Sequence, residues 1–282
     1  MIALGPGQIA ASRRPLLLLS VTGLRLFAGF CLAWPLSALV AQTGVGLRSE
    51  GDRALFEGGG YLLLEVLRLR GSELAAVARG LLPVLALGLL LTAACNAVLL
   101  VGLNMQGRLR LRELLSRASE RLPPLVALGG GTALGQVLLF VAGAIAVSAI
   151  PETLARPVAT TAAEILLWLV VALAAGALGG FSDLVKASLI RHQAPLLEAL
   201  GHAFKCLRQR PILGGFGWVP YAAAFVAVAV LVGKLTEIID VARPGAWRVA
   251  CVFTIHQLVI LSSVTARAIW YARALRLVAT NP

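Results

Sequence analysis

The stretch EILLWLVVALAAGALGGFSDLVK, residues 164–186, indicates the fold class, because an apolar run passes directly into charged residues. No charged residue occurs between Ile165 and Gly180, and Asp183 and Lys186 follow at once. About 20 apolar residues cross a bilayer core as a helix. Residues 164–180 therefore predict a short transmembrane span, with Asp183 and Lys186 near the membrane boundary.

The whole chain shares this imbalance between apolar and charged residues. Of its 282 residues, 59% are hydrophobic and 13% are charged, whereas soluble domains average about 25% charged residues. So few charges cannot cover a water-exposed surface, which predicts a polytopic integral membrane protein. No linker divides the chain, so we expect one all-α membrane domain over residues 1–282, with amphipathic interfacial helices. The predicted spans are residues 26–46, 81–104, 123–150, 164–180, 212–233 and 246–266.

The first apolar run has one feature of a secretory signal peptide, since Arg13 and Arg14 precede it. However, Arg25 interrupts the run, which then continues too long, and no A-x-A cleavage site stands out near residues 38–42. We therefore expect a retained helix.

The net charge of +12 comes from 25 basic and 13 acidic residues. When the six spans alternate in direction, fifteen basic residues fall on the side of the N-terminus and nine on the opposite side. Lys and Arg are enriched in cytoplasmic loops, which predicts a multi-pass protein of the inner (plasma) membrane with both termini cytoplasmic. We expect the basic loops to contact anionic lipid headgroups. The sequence has no basic clusters interleaved with aromatic residues, so no nucleic acid partner is expected.

The connection between the fourth and fifth spans, residues 183–210, contains a predicted amphipathic helix. Asp183 and Lys186 are three residues apart and can pair on one helix face, while Glu198 and His202 lie four apart on a polar stripe. Two interpretations stay open: a surface on which a protein partner docks, or a solvated connector between two spans. The apolar stripe of the helix consists of Leu197, Leu200, Phe204 and Leu207.

Arg25 and His256 are two ionisable residues that fall inside or beside predicted spans. Ionisable residues are costly in lipid unless they contact other helices or water. We expect His256, in the middle of the sixth span, to face neighbouring helices. Arg25 is a candidate buried cation, but it is close enough to the start of its span for its side chain to reach the cytoplasmic headgroups instead.

The sequence lacks the residue combinations of an enzyme or a metal site. Ser182, Asp183 and a later His256 superficially match an intramembrane serine protease, but the predicted spans put the serine and the histidine at different depths. His192 and His202 have no carboxylate or cysteine at metal-ligand spacing. The four cysteines form no C-x-x-C pair. No catalytic, cofactor-binding or metal-binding residues are therefore predicted.

Three short motifs resemble those of a group of bacterial six-helix membrane proteins. They are Asp183-Leu184-Val185-Lys186 after the fourth span, Leu197-Glu198-Ala199-Leu200 before the fifth, and Arg14-Pro15 before the first. The chain resembles, in these motifs, the glycerophosphoryl diester phosphodiesterase membrane domain and related domains of unknown function. The resemblance implies a fold and a membrane location. It implies no activity, because the membrane domain is not the catalytic part of those proteins.

The sequence favours a non-enzymatic inner-membrane protein that acts as a scaffold, an assembly factor or a partner subunit. The alternative is a transporter or permease subunit that moves a small solute or a lipid. Transport predicts polar residues that converge in the middle of the membrane. His256, Asn96 and Gln136 are scattered along the chain, which leaves transport as the second hypothesis.

Overall fold

The fold is all-helical, as the sequence predicted. A computed structural model describes residues 9–42, 71–105, 111–148, 157–239 and 246–280. In the described chain, five helices contain a segment long and apolar enough to cross a membrane, and a sixth contains the shorter apolar stretch Pro15–Cys31. These findings confirm an all-α polytopic bundle and a multi-pass membrane protein.

Six long helices and three short ones follow one another in the described part of the chain. A 3-10 turn at Ala11–Arg13 precedes the first of them. The helices are α1 (Pro15–Gln42), α2 (Gly71–Asn104), α3 (Leu111–Glu120), α4 (Leu122–Ser148), α5 (Pro157–His192), α6 (Leu196–Gln209), α7 (Pro211–Phe216), α8 (Val219–Ile239) and α9 (Ala246–Ala279).

Several helices extend beyond the apolar runs that predicted them. Helix α1 begins at Pro15 and therefore includes Arg25, and α9 continues to Ala279, well past the predicted end of the sixth span at residue 266. A helix satisfies its backbone hydrogen bonds internally, so it continues past an apolar run wherever its polar side chains find partners. The ends of the predicted first and third spans, residues 43–46 and 149–150, lie outside the described residues.

Helices α2, α5 and α9 pack against one another at the centre of the bundle. Helix α1 packs against α2 and α9, α4 packs against α2 and α5, and α8 packs along α9. The most apolar segment of α2 is 56% buried, whereas that of α4 is 6% buried. Three central helices are thus surrounded by three helices whose outer faces are available to lipid.

The bundle has one end that is tightly packed and one that is open. At the packed end, where the described chain begins and α2, α5 and α9 end, Ile9, Leu100, Val185 and Leu275 are fully buried. At the opposite, open end, large apolar side chains are exposed, which is favourable in lipid and unfavourable in water. Among those exposed are Val137, Val141, Ile145, Leu166, Val226 and Val230.

The short helix α6 lies on the packed end through small residues. Ala199, Ala203 and Cys206 are buried, and α6 packs against α5 and α9. The predicted apolar stripe is divided, since Leu197 and Phe204 are exposed whereas Leu200 packs against the core. Small side chains allow closer approach to α5, and they leave Leu197 and Phe204 at the surface. Exposed apolar side chains on a basic amphipathic helix are typical of a helix lying in the membrane interface.

Helix α8 is anchored to α5 by Trp218. The indole ring lies against Gly176 and Gly180, where any Cβ atom would overlap the ring. The indole Nε1 donates a hydrogen bond to the Gly215 carbonyl at 2.8 Å. Glycines four residues apart form a groove that accepts a large side chain. Among the described helices, α9 is the one along which α8 packs extensively, so α8 leans away from α5 beyond Trp218.

Candidate functional site

A buried carboxylate, Asp183, joins α5 to α9. Its Oδ1 accepts hydrogen bonds from Lys186 Nζ at 2.8 Å, from Arg267 Nη2 at 3.2 Å and from the Tyr271 hydroxyl at 3.3 Å. Its Oδ2 accepts one from the Trp270 indole Nε1 at 3.1 Å. Asp183 and Lys186 are each 6% exposed. We call these five residues the Asp183 cluster.

Helical spacing brings the members of the Asp183 cluster together. Asp183 and Lys186 are three apart on α5, and the ion pair that the sequence predicted is present, although it is buried and not solvated. On α9, Arg267 donates to the Tyr271 hydroxyl from Nε at 3.1 Å and from Nη2 at 3.0 Å. The guanidinium also lies 5.2 Å from the centre of the Tyr271 ring. Two cations face one carboxylate, so the cluster carries a net charge of +1.

A cavity of about 650 Å³ lies between the six long helices, on the side of the Asp183 cluster that faces the open end. Among the described residues that line it are three cationic side chains and one carboxylate, which give this lining a net charge of +2. Thr132 Oγ1 donates to Ser182 Oγ at 2.8 Å, and Gln136 Nε2 donates to the Ala175 carbonyl at 3.0 Å. The charged, amide and aliphatic hydroxyl residues of the lining are Arg25, Thr92, Asn96, Thr132, Gln136, Asp183, Lys186, Ser263 and Arg267.

The wall formed by α1 and α2 has few polar contacts. Arg25 Nη1 donates to the neutral Ser263 hydroxyl at 3.1 Å, and the guanidinium lies near the Cys95 thiol. Among the described residues no carboxylate pairs with Arg25. Asn96 is 6% exposed, and its Oδ1 has no hydrogen-bond donor within the described part of the chain.

A second pocket, of about 570 Å³, lies at the packed end where α2, α3 and α5 end. Arg117, Arg121 and Arg191 line it. Arg117 pairs with Glu113 at 2.6 Å, and Arg191 Nη1 donates to Asn104 Oδ1 at 3.1 Å. Basic side chains near helix C-termini interact favourably with the helix dipole. We therefore interpret these arginines as residues that stabilise three helix ends.

Three of the predicted site residues lie away from the cavity. Glu198 is exposed on α6. The ring of His202 lies 4.7 Å from that of His192, and its Nδ1 is 3.4 Å from Ser188 Oγ. His256 is exposed on α9 and is not among the described residues that line the cavity, so the expectation that it faces neighbouring helices stays a prediction. On a helix that is apolar all round, the sequence does not reveal which side faces the bundle.

The cavity gathers residues that are scattered along the sequence. Arg25, Asn96 and Gln136 lie on three different helices, yet all three line it, together with Asp183 and Lys186. The sequence left two alternatives for Arg25, a buried cation or a side chain that extends to the headgroups. Its place in the cavity lining, between helices, favours the first. The burial of Asp183 and Lys186 also removes both from any surface that a partner could contact.

Sequence reasoning missed the partners that α9 contributes. Arg267 directly follows the predicted end of the sixth span at residue 266, and neither Trp270 nor Tyr271 was singled out. A signal was available, because the spacing Arg-x-x-Trp-Tyr continues the sixth apolar run in helical register. Within the described ranges, no group of three or more His, Cys, Asp or Glu side chains could hold a metal ion.

The chain matches no protein-family model, no curated protein and no solved structure. The resemblance drawn from the short motifs around Asp183 and Glu198 therefore stays a prediction. The function has to be argued from the cavity itself.

Proposed function

We propose that this protein binds an anionic amphiphile, such as a lipid with an acidic headgroup, inside the bilayer and takes part in its transport or transfer. One observation carries the proposal. The described lining of the cavity between the six long helices has a net charge of +2 and combines these charges with apolar side chains.

The excess positive charge supports an anionic ligand. Charged side chains inside a membrane are costly and normally pair with one another. Lys186 and Arg267 share Asp183, while Arg25 donates to a neutral hydroxyl. An anion bound beside Arg25 would offset this cost, and the low dielectric of the bilayer would strengthen the attraction.

The apolar part of the cavity supports a ligand with an acyl chain. Tyr221 and Phe225 of α8 and Leu89 of α2 contribute to the lining. Because α8 meets α5 at Trp218 and leans away beyond it, the space between these helices is the route from the cavity to lipid. An acidic headgroup would lie beside the cations, and its chain would leave along this route.

We further propose that the packed end faces the cytoplasm and that the protein resides in a bacterial inner (plasma) membrane. Lys205, Arg208 and Arg210 are exposed at the packed end, and cytoplasmic surfaces are enriched in such residues. Both ends of the described chain also lie there, since Ile9 and Val278 belong to one core. This orientation agrees with the excess of basic residues in the loops on that side.

The scaffold hypothesis from the sequence relied on a contact surface between Asp183 and Arg210. The first part of that segment is buried and belongs to the cavity wall. The exposed apolar side chains of α6 are accounted for by the membrane interface. We therefore prefer the transport class, which the sequence ranked second.

Lipid retention by purified protein tests the proposal. Wild type and Arg25→Gln are purified into phosphatidylcholine nanodiscs containing a minority of phosphatidylglycerol, and bound lipids are counted by native mass spectrometry. We expect wild type to retain one phosphatidylglycerol. We expect Arg25→Gln to bind it at least about tenfold more weakly, because a hydrogen bond to a charged group contributes about 1.5–3 kcal/mol.

Arg208→Gln is the matched control, since Arg208 is exposed on α6 and lies outside the cavity lining. The control removes the same charge and should keep the wild-type affinity. Equal losses of affinity in both variants would show that general positive charge, and not the cavity, binds the lipid. A wild type with no preference for phosphatidylglycerol over phosphatidylcholine would contradict the proposal.

A further inference from the structure

The amide of Asn96 is a second unsatisfied group in the cavity wall. Three buried side-chain atoms in the described residues lack a hydrogen-bond partner, namely Asn96 Oδ1, His192 Nε2 and Gln257 Oε1. Of these three residues, Asn96 is the one that lines the cavity. A buried carbonyl oxygen without a donor is unfavourable, and the bilayer core supplies no water to replace one.

Three other neutral polar side chains of the cavity have partners. Thr132 donates to Ser182, and Gln136 donates to the Ala175 carbonyl. Ser263 donates to the Ile260 carbonyl at 2.9 Å and accepts from Arg25. Among the described residues that line the cavity, Asn96 is the one with a buried polar atom that lacks a partner.

Asn96 and Arg25 belong to the same wall. Helices α1 and α2 pack against each other, and Cys95, the neighbour of Asn96, lies near the Arg25 guanidinium. The same wall thus holds an acceptor without a donor and a cation without a carboxylate, and both residues line one cavity. A single ligand that carries both an anion and a hydrogen-bond donor can satisfy both groups.

We infer that the cavity selects a phosphodiester lipid whose headgroup carries a hydroxyl group, with the phosphate at Arg25 and the hydroxyl donating to Asn96 Oδ1 once the buried amide turns toward the cavity. This inference rests on the proposed function and specifies its ligand. The net charge of +2 favours a headgroup that is anionic overall. Phosphoglycerol has this chemistry, because it has one negative charge and two hydroxyl donors.

Two lipids of equal charge, one with and one without hydroxyl groups in its headgroup, test the inference. Phosphatidylglycerol and phosphatidylmethanol with identical acyl chains have the same charge, but the methyl headgroup has no donor. Competition between them is measured on wild-type protein in phosphatidylcholine nanodiscs by native mass spectrometry. We expect a preference of roughly three- to tenfold for phosphatidylglycerol, the range for one neutral hydrogen bond.

The variant Asn96→Leu assigns the preference to this side chain, since leucine has nearly the same shape and no acceptor. It should lower the affinity for phosphatidylglycerol to that for phosphatidylmethanol and leave the latter unchanged. Arg25→Gln should lower both affinities and keep their ratio. If Asn96→Leu does not fold, the wild-type competition still decides the question.

Different experimental outcomes would contradict the inference and the proposed function. Equal binding of the two lipids by wild type, with both affinities dependent on Arg25, would overturn the role of the hydroxyl and retain the anion site. An equal loss for both lipids in Asn96→Leu would make Asn96 a structural residue and would also overturn the inference. Binding of neither lipid above the phosphatidylcholine background would contradict the proposed function itself.

Discussion

The two walls of the cavity hold their charges in opposite ways. On the wall formed by α5 and α9, Asp183 accepts four hydrogen bonds, and both neighbouring cations are paired with it. On the wall formed by α1 and α2, Arg25 contacts a neutral hydroxyl and Asn96 Oδ1 has no donor. The first wall is complete by itself, whereas the second lacks both an anion and a donor.

This contrast distinguishes charged groups that stabilise the fold from charged groups that are available to bind a ligand. A satisfied buried network holds helices in one arrangement, and the loss of one member leaves the others unpaired. An unsatisfied group costs free energy until something binds to it. The α5–α9 wall should therefore respond to mutation through stability, and the α1–α2 wall through binding.

Asp183→Ala tests the complete wall and should have the largest effect. It leaves Lys186 and Arg267 without their carboxylate, and breaking a buried ion pair costs about 3–5 kcal/mol. We expect the free energy of unfolding in detergent to fall by about that amount. The control Glu113→Ala removes a carboxylate from an exposed pair with Arg117 and should cost at most about 1 kcal/mol. Similar losses of stability in both variants would mean that the buried Asp183 cluster contributes no more to stability than an exposed ion pair.

Tyr271→Phe tests one neutral member of the same wall. The hydroxyl donates to Asp183 and accepts from Arg267, so its removal should lower the free energy of unfolding by about 1–2 kcal/mol. Tyr221→Phe is the control, because the Tyr221 hydroxyl has a long 3.5 Å contact with Arg273. It should change stability by less than about 0.5 kcal/mol. A larger loss in Tyr221→Phe would argue against the central role of the Asp183 cluster.

Arg25→Leu tests the incomplete wall and should have the smallest effect on stability. Replacing a poorly paired buried charge with an apolar residue is often neutral or stabilising. In phosphatidylcholine alone, we expect the free energy of unfolding to stay within about 0.5 kcal/mol of wild type or to rise. Arg267→Leu, the same change on the opposite wall, should lower it by about 3 kcal/mol. If Arg25→Leu is as destabilising as Arg267→Leu, Arg25 is a structural residue.

The sequence predicted the Asp183–Lys186 pair, because residues three apart on a helix share one face whatever surrounds them. It did not predict that the pair is buried, since burial depends on α9 continuing past residue 266 and packing on α5. The sequence predicted α6 as an interfacial amphipathic helix, but it did not predict which residues contact the bundle. Ala199 and Ala203 are fully buried there and Leu200 packs beside them, whereas Leu197 and Phe204 of the same apolar stripe are exposed.

His256 and Asn96 show why the rest of the site could not be predicted from the sequence. Both are polar residues in apolar runs, and sequence analysis gave more weight to His256 than to Asn96. The structure leaves His256 exposed and buries Asn96 in the cavity wall. In a water-soluble helix the apolar face identifies the interior, but lipid is as apolar as the interior of the bundle. Periodicity therefore does not reveal which of the two faces its neighbours.

Sequence patterns were enough to predict the class of the protein, the approximate location of its six long helices and the Asp183–Lys186 ion pair within one helix. These properties depend on hydrophobicity and on contacts within one helix, both of which can be read from neighbouring residues. The tertiary structure was needed to show that Arg25, Asn96, Asp183 and Arg267, on four helices, line one cavity. That arrangement depends on how the helices pack, and in a membrane packing is set by side-chain shape and polar contacts between distant segments.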